Sequence, residues 1–97
     1  MFLTRMDDNA IQALLDSTLI EANKDIVLGM LIMANRRFNQ RDLEYNVIRG
    51  SAYLKASIAV AKVAQDVTLM SRNELTHIEH VGTYIADSII SRIQNTA

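Results

Sequence analysis

No proline interrupts this chain of 97 residues, and only three glycines do. Proline and glycine are the residues that most often end a helix or weaken it, so nothing in the sequence prevents long helices. Cysteine is also absent, which leaves the chain without a disulfide, a thiolate metal site or a cysteine nucleophile. A chain of this length forms one domain, residues 1–97, and we expect an all-α fold.

The first third of the sequence has the apolar spacing of an amphipathic helix. Apolar residues recur there three and four positions apart, and the pattern could continue without interruption from Asp8 to Phe38. The run Asn23-Lys24-Asp25 contains a residue able to cap a helix, so a break into two helices at this point is the alternative. We therefore expect a small bundle of three long or four shorter antiparallel helices.

Residues 26–34 are apolar on every side of a helix. The run is nine residues long, about half of what a membrane-spanning helix needs, and no secretory signal precedes it, so we expect a cytoplasmic protein without membrane contact. A helix that is apolar all round is buried all round, either within one chain or at the centre of an oligomer. We predict a homodimer, whose interface contains Ile26, Met30, Leu31, Ile32 and Met33.

The middle segment, residues 40–67, predicts a helix with two apolar faces about 100° apart. Two apolar faces imply two packing partners. Gly50 lies within this segment, where a glycine either weakens a helix by about 1 kcal/mol or marks a kink.

The last predicted helix begins at the sequence Ser71-Arg72-Asn73-Glu74, which is a capping box. From Leu75 to Ile93 the apolar residues keep helical spacing, including across Gly82. This continuity predicts one uninterrupted helix without a turn at the glycine.

Basic residues are concentrated in the middle of the chain. Residues 36–62 contain six basic and two acidic residues (+4), whereas residues 1–35 sum to −3 and residues 63–97 to −2. The overall pI of about 6.0 is far from that of a dedicated nucleic-acid binder. A solvated helix face is one interpretation. The other is a surface for an acidic protein partner, formed by Arg37, Arg41, Lys55 and Lys62.

The segment Arg72-Asn73-Glu74-Leu75-Thr76-His77 has an asparagine directly after an arginine and a histidine five residues after that arginine. It resembles the R-N-x-x-x-H signature of HEPN domains, which are helical, commonly dimeric and often metal-independent ribonucleases. The resemblance covers six residues. It implies that His77 is a general base or acid toward a ribose hydroxyl and that Arg72 holds the phosphate.

Two other hypotheses concern the same part of the chain. His77 and His80 are three residues apart, but zinc needs three or four ligands, so we expect exposed histidines, no metal and no cofactor. Residues 74–85 also align loosely with a helix-turn-helix motif, whose second helix, residues 84–94, offers only Arg92 to DNA.

We therefore expect a small non-enzymatic protein that acts by homo-oligomerisation and protein–protein binding, as a regulatory or accessory module. No glycine-rich phosphate loop, catalytic triad or paired carboxylates are evident. A HEPN-like ribonuclease that uses Arg72 and His77 is the alternative, and a DNA-binding regulator is the third hypothesis.

Overall fold

A computed structural model describes residues 6–40 and 44–96. All regular structure in these ranges is helical, which confirms the all-α prediction. Two short 3₁₀ helices, Glu21–Asn23 and Val67–Leu69, accompany the α-helices. No described helix is long and apolar enough to cross a membrane. The α-helices are α1 (Asp8–Ser17), α2 (Lys24–Phe38), α3 (Glu44–Ala61), the single turn α4 (Arg72–Leu75) and α5 (Thr83–Thr96).

Helices α2 and α3 form the central pair of the bundle and share its most extensive contact. They are antiparallel, since Arg37 near the end of α2 contacts Asn46 near the start of α3. Helix α1 contacts both of them, and α5 contacts α2, α3 and α4. The core is built mainly from side chains of α2, α3 and α5, including Val27, Leu31, Tyr53, Val60 and Ile89.

The first segment is divided into two helices, as the alternative prediction held, but Asn23 does not cap the second one. Its side chain makes no capping hydrogen bond to α2. It is 0% exposed; its amide nitrogen donates to the carbonyl of Gln65 at 2.8 Å, and its amide oxygen accepts from the backbone N–H of Val67 at 2.9 Å. Asn23 thus joins the start of α2 to the segment that follows α3.

Helix α3 is shorter than predicted at its C-terminal end, where it stops at Ala61 instead of continuing to Val67. The N–H groups of Lys62 and Val63 bond to carbonyls three residues back, which tightens the last turn. The carbonyl of Ala61 accepts from the N–H of Leu19 at 3.0 Å, outside the helix. Val67 is still buried, but within a separate 3₁₀ helix.

The prediction of one uninterrupted helix from the capping box onward is wrong. The capping box at Ser71 is confirmed, but it starts only the four-residue α4. The chain then turns through hydrogen bonds that span three residues, and His80 adopts a φ of 66°, in the left-handed region. Leu75 and Val81 are buried on either side of Ile78, each three residues apart, a spacing that such turns share with helices.

Gly50 neither ends nor divides α3; it allows α2 to approach closely. A Cβ atom at this position would lie 2.9 Å from Cδ1 and Cε1 of the Phe38 ring. Phe38 is itself buried in the core. A side chain at position 50 would thus collide with α2, which accounts for a glycine at this point of α3.

Candidate functional site

The predicted basic surface is only partly assembled by the fold. Lys55 and Lys62 are exposed on α3 and directly after it, seven residues apart and therefore on one face of the helix. Arg37 belongs to α2, where its guanidinium donates to the side-chain oxygen of Asn46 at 3.0 Å. Arg41 lies outside the described residues. The structure thus brings the two lysines together and places Arg37 elsewhere.

The lysine-bearing face of α3 also exposes large apolar side chains. Ile48 is 63% exposed and Ile58 is 36% exposed. Ala52 and Ala59 are half-buried. The positions 48, 52, 55, 59 and 62 alternate spacings of four and three, which is the seam that one helix presents to another. Residues 46–63 contain no acidic residue.

Two separate pockets lie along one side of this face, and together we call them the groove along α3. One part is lined by Val63, Met70 and His77 together with Lys62, and a second part further along α3 by Ile48, Lys55 and His80. The turn between α4 and α5 forms the opposite wall. Residues 47–63 span about 24 Å at 1.5 Å per residue. This is the length of a helix of about sixteen residues.

Two carboxylates, those of Glu74 and Glu79, also line the groove. Glu74 accepts from the backbone N–H of Ser71 at 3.0 Å, and these hydrogen bonds at Ser71 lower the pKa of the Glu74 carboxyl. Glu79 lies 3.6 Å from the ring of His80. Among the described residues, Lys55 and Lys62 pair with no carboxylate. The groove therefore contains two positive charges that no carboxylate of the described residues balances, those of Lys55 and Lys62.

Arg72 and His77, the residues of the HEPN-like motif, are not arranged to bind a phosphate together. Arg72 makes two hydrogen bonds to Asp87 of α5, Nε to Oδ1 at 2.6 Å and Nη2 to Oδ2 at 3.3 Å. The same contact lowers the pKa of Asp87. His77 is exposed, and its Nδ1 lies 2.8 Å from the carbonyl oxygen of Asn73, which requires a hydrogen on Nδ1. The positive charge of Arg72 is therefore balanced by Asp87.

The arginine that the helix-turn-helix hypothesis assigns to DNA, Arg92, already has a carboxylate partner. The predicted second helix, residues 84–94, lies within α5, but α4 before it is a single turn. Arg92 pairs with Asp25, Nη2 to Oδ1 at 2.9 Å and Nε to Oδ2 at 3.1 Å. The described residues 74–85 therefore lack the first helix of such a motif.

The predicted oligomer interface is divided between the interior and the surface. Ile26, Met30 and Leu31 are buried within the single chain. Their burial agrees with the intramolecular alternative for this part of α2. Ile32 is 42% exposed and Met33 is half-buried, so these two remain accessible to a second copy.

The exposed isoleucines of α3, Ile48 and Ile58, were not predicted from the sequence. Their signal was the alternating spacing shared with the lysines, which can be read without a structure. In the part of the chain that the structure covers, no three His, Asp or Glu side chains are placed to hold a metal ion. Comparison with family models, with curated proteins and with solved structures gives no match for this chain.

Proposed function

We propose that this protein is a non-enzymatic binding module that holds an acidic amphipathic helix of a partner protein in the groove along α3. The observation that carries the proposal is the solvent face of α3, where Ile48 and Ile58 are exposed beside the unpaired Lys55 and Lys62. Exposed apolar residues next to unpaired charges of one sign favour a partner with apolar anchors and the opposite charge.

A helical partner fits the shape of this surface. Ala52 and Ala59 let another backbone approach α3, and the groove has the length of about four turns. Helices bind in such grooves through apolar anchors three, four and seven residues apart. Acidic residues beside those anchors would meet Lys55 and Lys62. A symmetric pairing of two copies through this face would bring lysines together, so a different protein is the better occupant.

Charge reversal at the two lysines tests the proposal. With a photo-crosslinking amino acid at Ala52, we expect a crosslink to a partner segment rich in Asp and Glu. Lys55→Glu combined with Lys62→Glu should weaken that interaction about tenfold or more, because both attractive contacts become repulsive. The interaction should also weaken with added salt.

Controls separate this result from unspecific effects of charge. The same crosslinker at Gln12, exposed on α1, should give no adduct with that partner, and Arg36→Glu on α2 should leave the adduct at Ala52 unchanged. An adduct that survives the double reversal, or that joins a basic segment, would refute the proposed groove.

Self-association through α2 is a second candidate, favoured by the outward stripe of that helix. Leu28 and Ile32 lie on this stripe between Asp25 and Arg36. Two antiparallel copies of α2 would place these apolar residues of each copy against those of the other, while Asp25 stays paired with Arg92 within each chain. Such a self-complementary surface is what a two-fold dimer requires.

Replacement of Ile32 by glutamate distinguishes this interface from the core. Since Ile32 is partly exposed, Ile32→Glu should dissociate a dimer and leave the far-UV circular dichroism unchanged. Ile48→Glu on α3 is the matched control and should leave the dimer intact. Sedimentation velocity at micromolar protein measures both, and a monomeric wild type would remove the dimer proposal.

A further inference from the structure

Three arginines of the basic middle segment have no carboxylate partner among the described residues. Arg72 and Arg92 each pair with an aspartate, whereas Arg36, Arg37 and Arg49 form no ion pair within that part of the chain. Unpaired guanidinium groups are the side chains best suited to bind oxyanions. Arg37 and Arg49 are therefore candidates for binding an oxyanion.

Arg49 lies over the ring of Tyr84, which packs against a second tyrosine. The guanidinium carbon of Arg49 is 4.1 Å from the centroid of the Tyr84 ring. The rings of Tyr84 and Tyr53 are 6.0 Å apart in an edge-to-face arrangement. The hydroxyl of Tyr53 is 3.1 Å from that of Ser88. Helices α3 and α5 thus contribute an arginine and three hydroxyl groups to one cluster.

Arg37 is held by a buried side chain one helical turn from Arg49, since Asn46 and Arg49 are three residues apart on α3. Asn46 is buried; its oxygen accepts from Arg37 at 3.0 Å, and its amide nitrogen donates to the carbonyl of Gln40 at 2.9 Å. A guanidinium fixed in this way loses little freedom when it binds an anion. Arg37 is therefore preorganised at the end of α2.

The electrostatic environment of Tyr84 favours negative charge. Interaction with the Tyr53 hydroxyl and the positive charges of Arg37 and Arg49 lower the pKa of the Tyr84 hydroxyl. Burial raises the pKa of Tyr53, which stays a neutral donor. An oxyanion near the Tyr84 hydroxyl would experience the same positive field as the phenolate.

An open groove between α2 and α5 adjoins the two tyrosines. Its volume is about 590 Å³, within the range of small-molecule sites. Tyr53, Tyr84 and Ser88 line it on one side, and Met30 and Ile89 are among its apolar residues. The groove can hold an apolar group next to Tyr84, whose ring contacts Arg49.

We infer that this cluster binds a phosphate monoester of a small molecule, with the phosphate between Arg37 and Arg49 at the Tyr84 hydroxyl and the organic group in the α2/α5 groove. Guanidinium and hydroxyl groups donate to phosphate oxygens, and the apolar residues contact the remainder of the ligand. The site is separate from the groove along α3. The result of testing this site therefore does not depend on whether the proposed protein partner exists.

Calorimetric titration with phenyl phosphate, inorganic phosphate and phenol tests the inference. We expect phenyl phosphate to bind more tightly than inorganic phosphate and phenol not to bind. Arg37→Gln and Arg49→Gln should each weaken phenyl phosphate binding about tenfold or more, the effect of one lost charge-assisted hydrogen bond. Lys55→Gln removes the same charge from α3 and should change nothing.

Titration of tyrosine absorbance with pH gives a second readout. Because the arginines favour the Tyr84 phenolate, Arg37→Gln should raise the pKa of Tyr84, and saturating phenyl phosphate should raise it in the wild type. Tyr84→Phe identifies the transition that belongs to this residue. The inference is overturned by absent binding, by equal binding of inorganic phosphate and phenyl phosphate, by equal weakening with Lys55→Gln, or by an unchanged tyrosine pKa.

Discussion

Asn23→Ala should destabilise the protein by about 3 kcal/mol, because the substitution leaves one buried and one partly buried backbone group without partners. These are the carbonyl of Gln65 and the N–H of Val67, which the Asn23 side chain contacts at 2.8 and 2.9 Å. The loss is large against the total stability of such a domain, about 5–15 kcal/mol. Urea denaturation followed by circular dichroism measures it.

The control for this prediction is an asparagine that makes no such bridge. Asn39 is exposed just after α2, and Asn39→Ala should change stability by less than about 0.5 kcal/mol. If Asn23→Ala costs less than about 1 kcal/mol, the hydrogen bonds between Asn23 and the segment after α3 do not stabilise the protein as the structure indicates.

Gly50→Ala should destabilise the protein by about 2 kcal/mol, although alanine is the better helix former. Helix propensity alone favours alanine by about 1 kcal/mol. The added methyl, however, would lie 2.9 Å from the ring of Phe38, which must move within a packed core. We therefore expect overpacking to outweigh propensity, and thermal or urea denaturation gives the sign directly.

Two further variants show whether contact with Phe38 causes the loss of stability in Gly50→Ala. Gly82→Ala adds the same methyl where no atom lies within 4 Å of a Cβ, so its cost should be only that of alanine at the N-cap of α5, whose Ala86 N–H bonds to the Gly82 carbonyl. In a double-mutant cycle, Phe38→Leu should absorb part of the cost of Gly50→Ala, because the two residues are in contact. A stabilising Gly50→Ala would mean that α2 and α3 are not as close as described.

Local signals predicted much of the fold. The capping box at Ser71 and the break near Asn23 depend on neighbouring residues, and both are present. The turn after α4 was missed because Leu75, Ile78 and Val81 are three residues apart. Turns with hydrogen bonds across three residues repeat nearly as a helix does, so spacing alone could not separate them.

The candidate sites were less predictable because they depend on contacts between distant residues. Lys55 and Lys62 could be selected from the sequence, since seven residues place them on one side of a helix. A count of charge along the chain grouped Arg37 with them although it belongs to another helix. Arg49 and Tyr84 are 35 positions apart, and no local pattern predicts their 4.1 Å contact.

The binding groove along α3 is tested most directly by selecting helix-forming peptides of random sequence against the purified protein and mapping the tightest binder by NMR. We predict that the selected peptides carry Asp or Glu beside an apolar stripe. The amide shifts of the protein should change at residues 47–63 and 77–80, and Lys55→Glu with Lys62→Glu should weaken binding about tenfold or more. Selected peptides that are neutral or basic, or shifts that map to α1 or to the groove between α2 and α5, would contradict the proposed function.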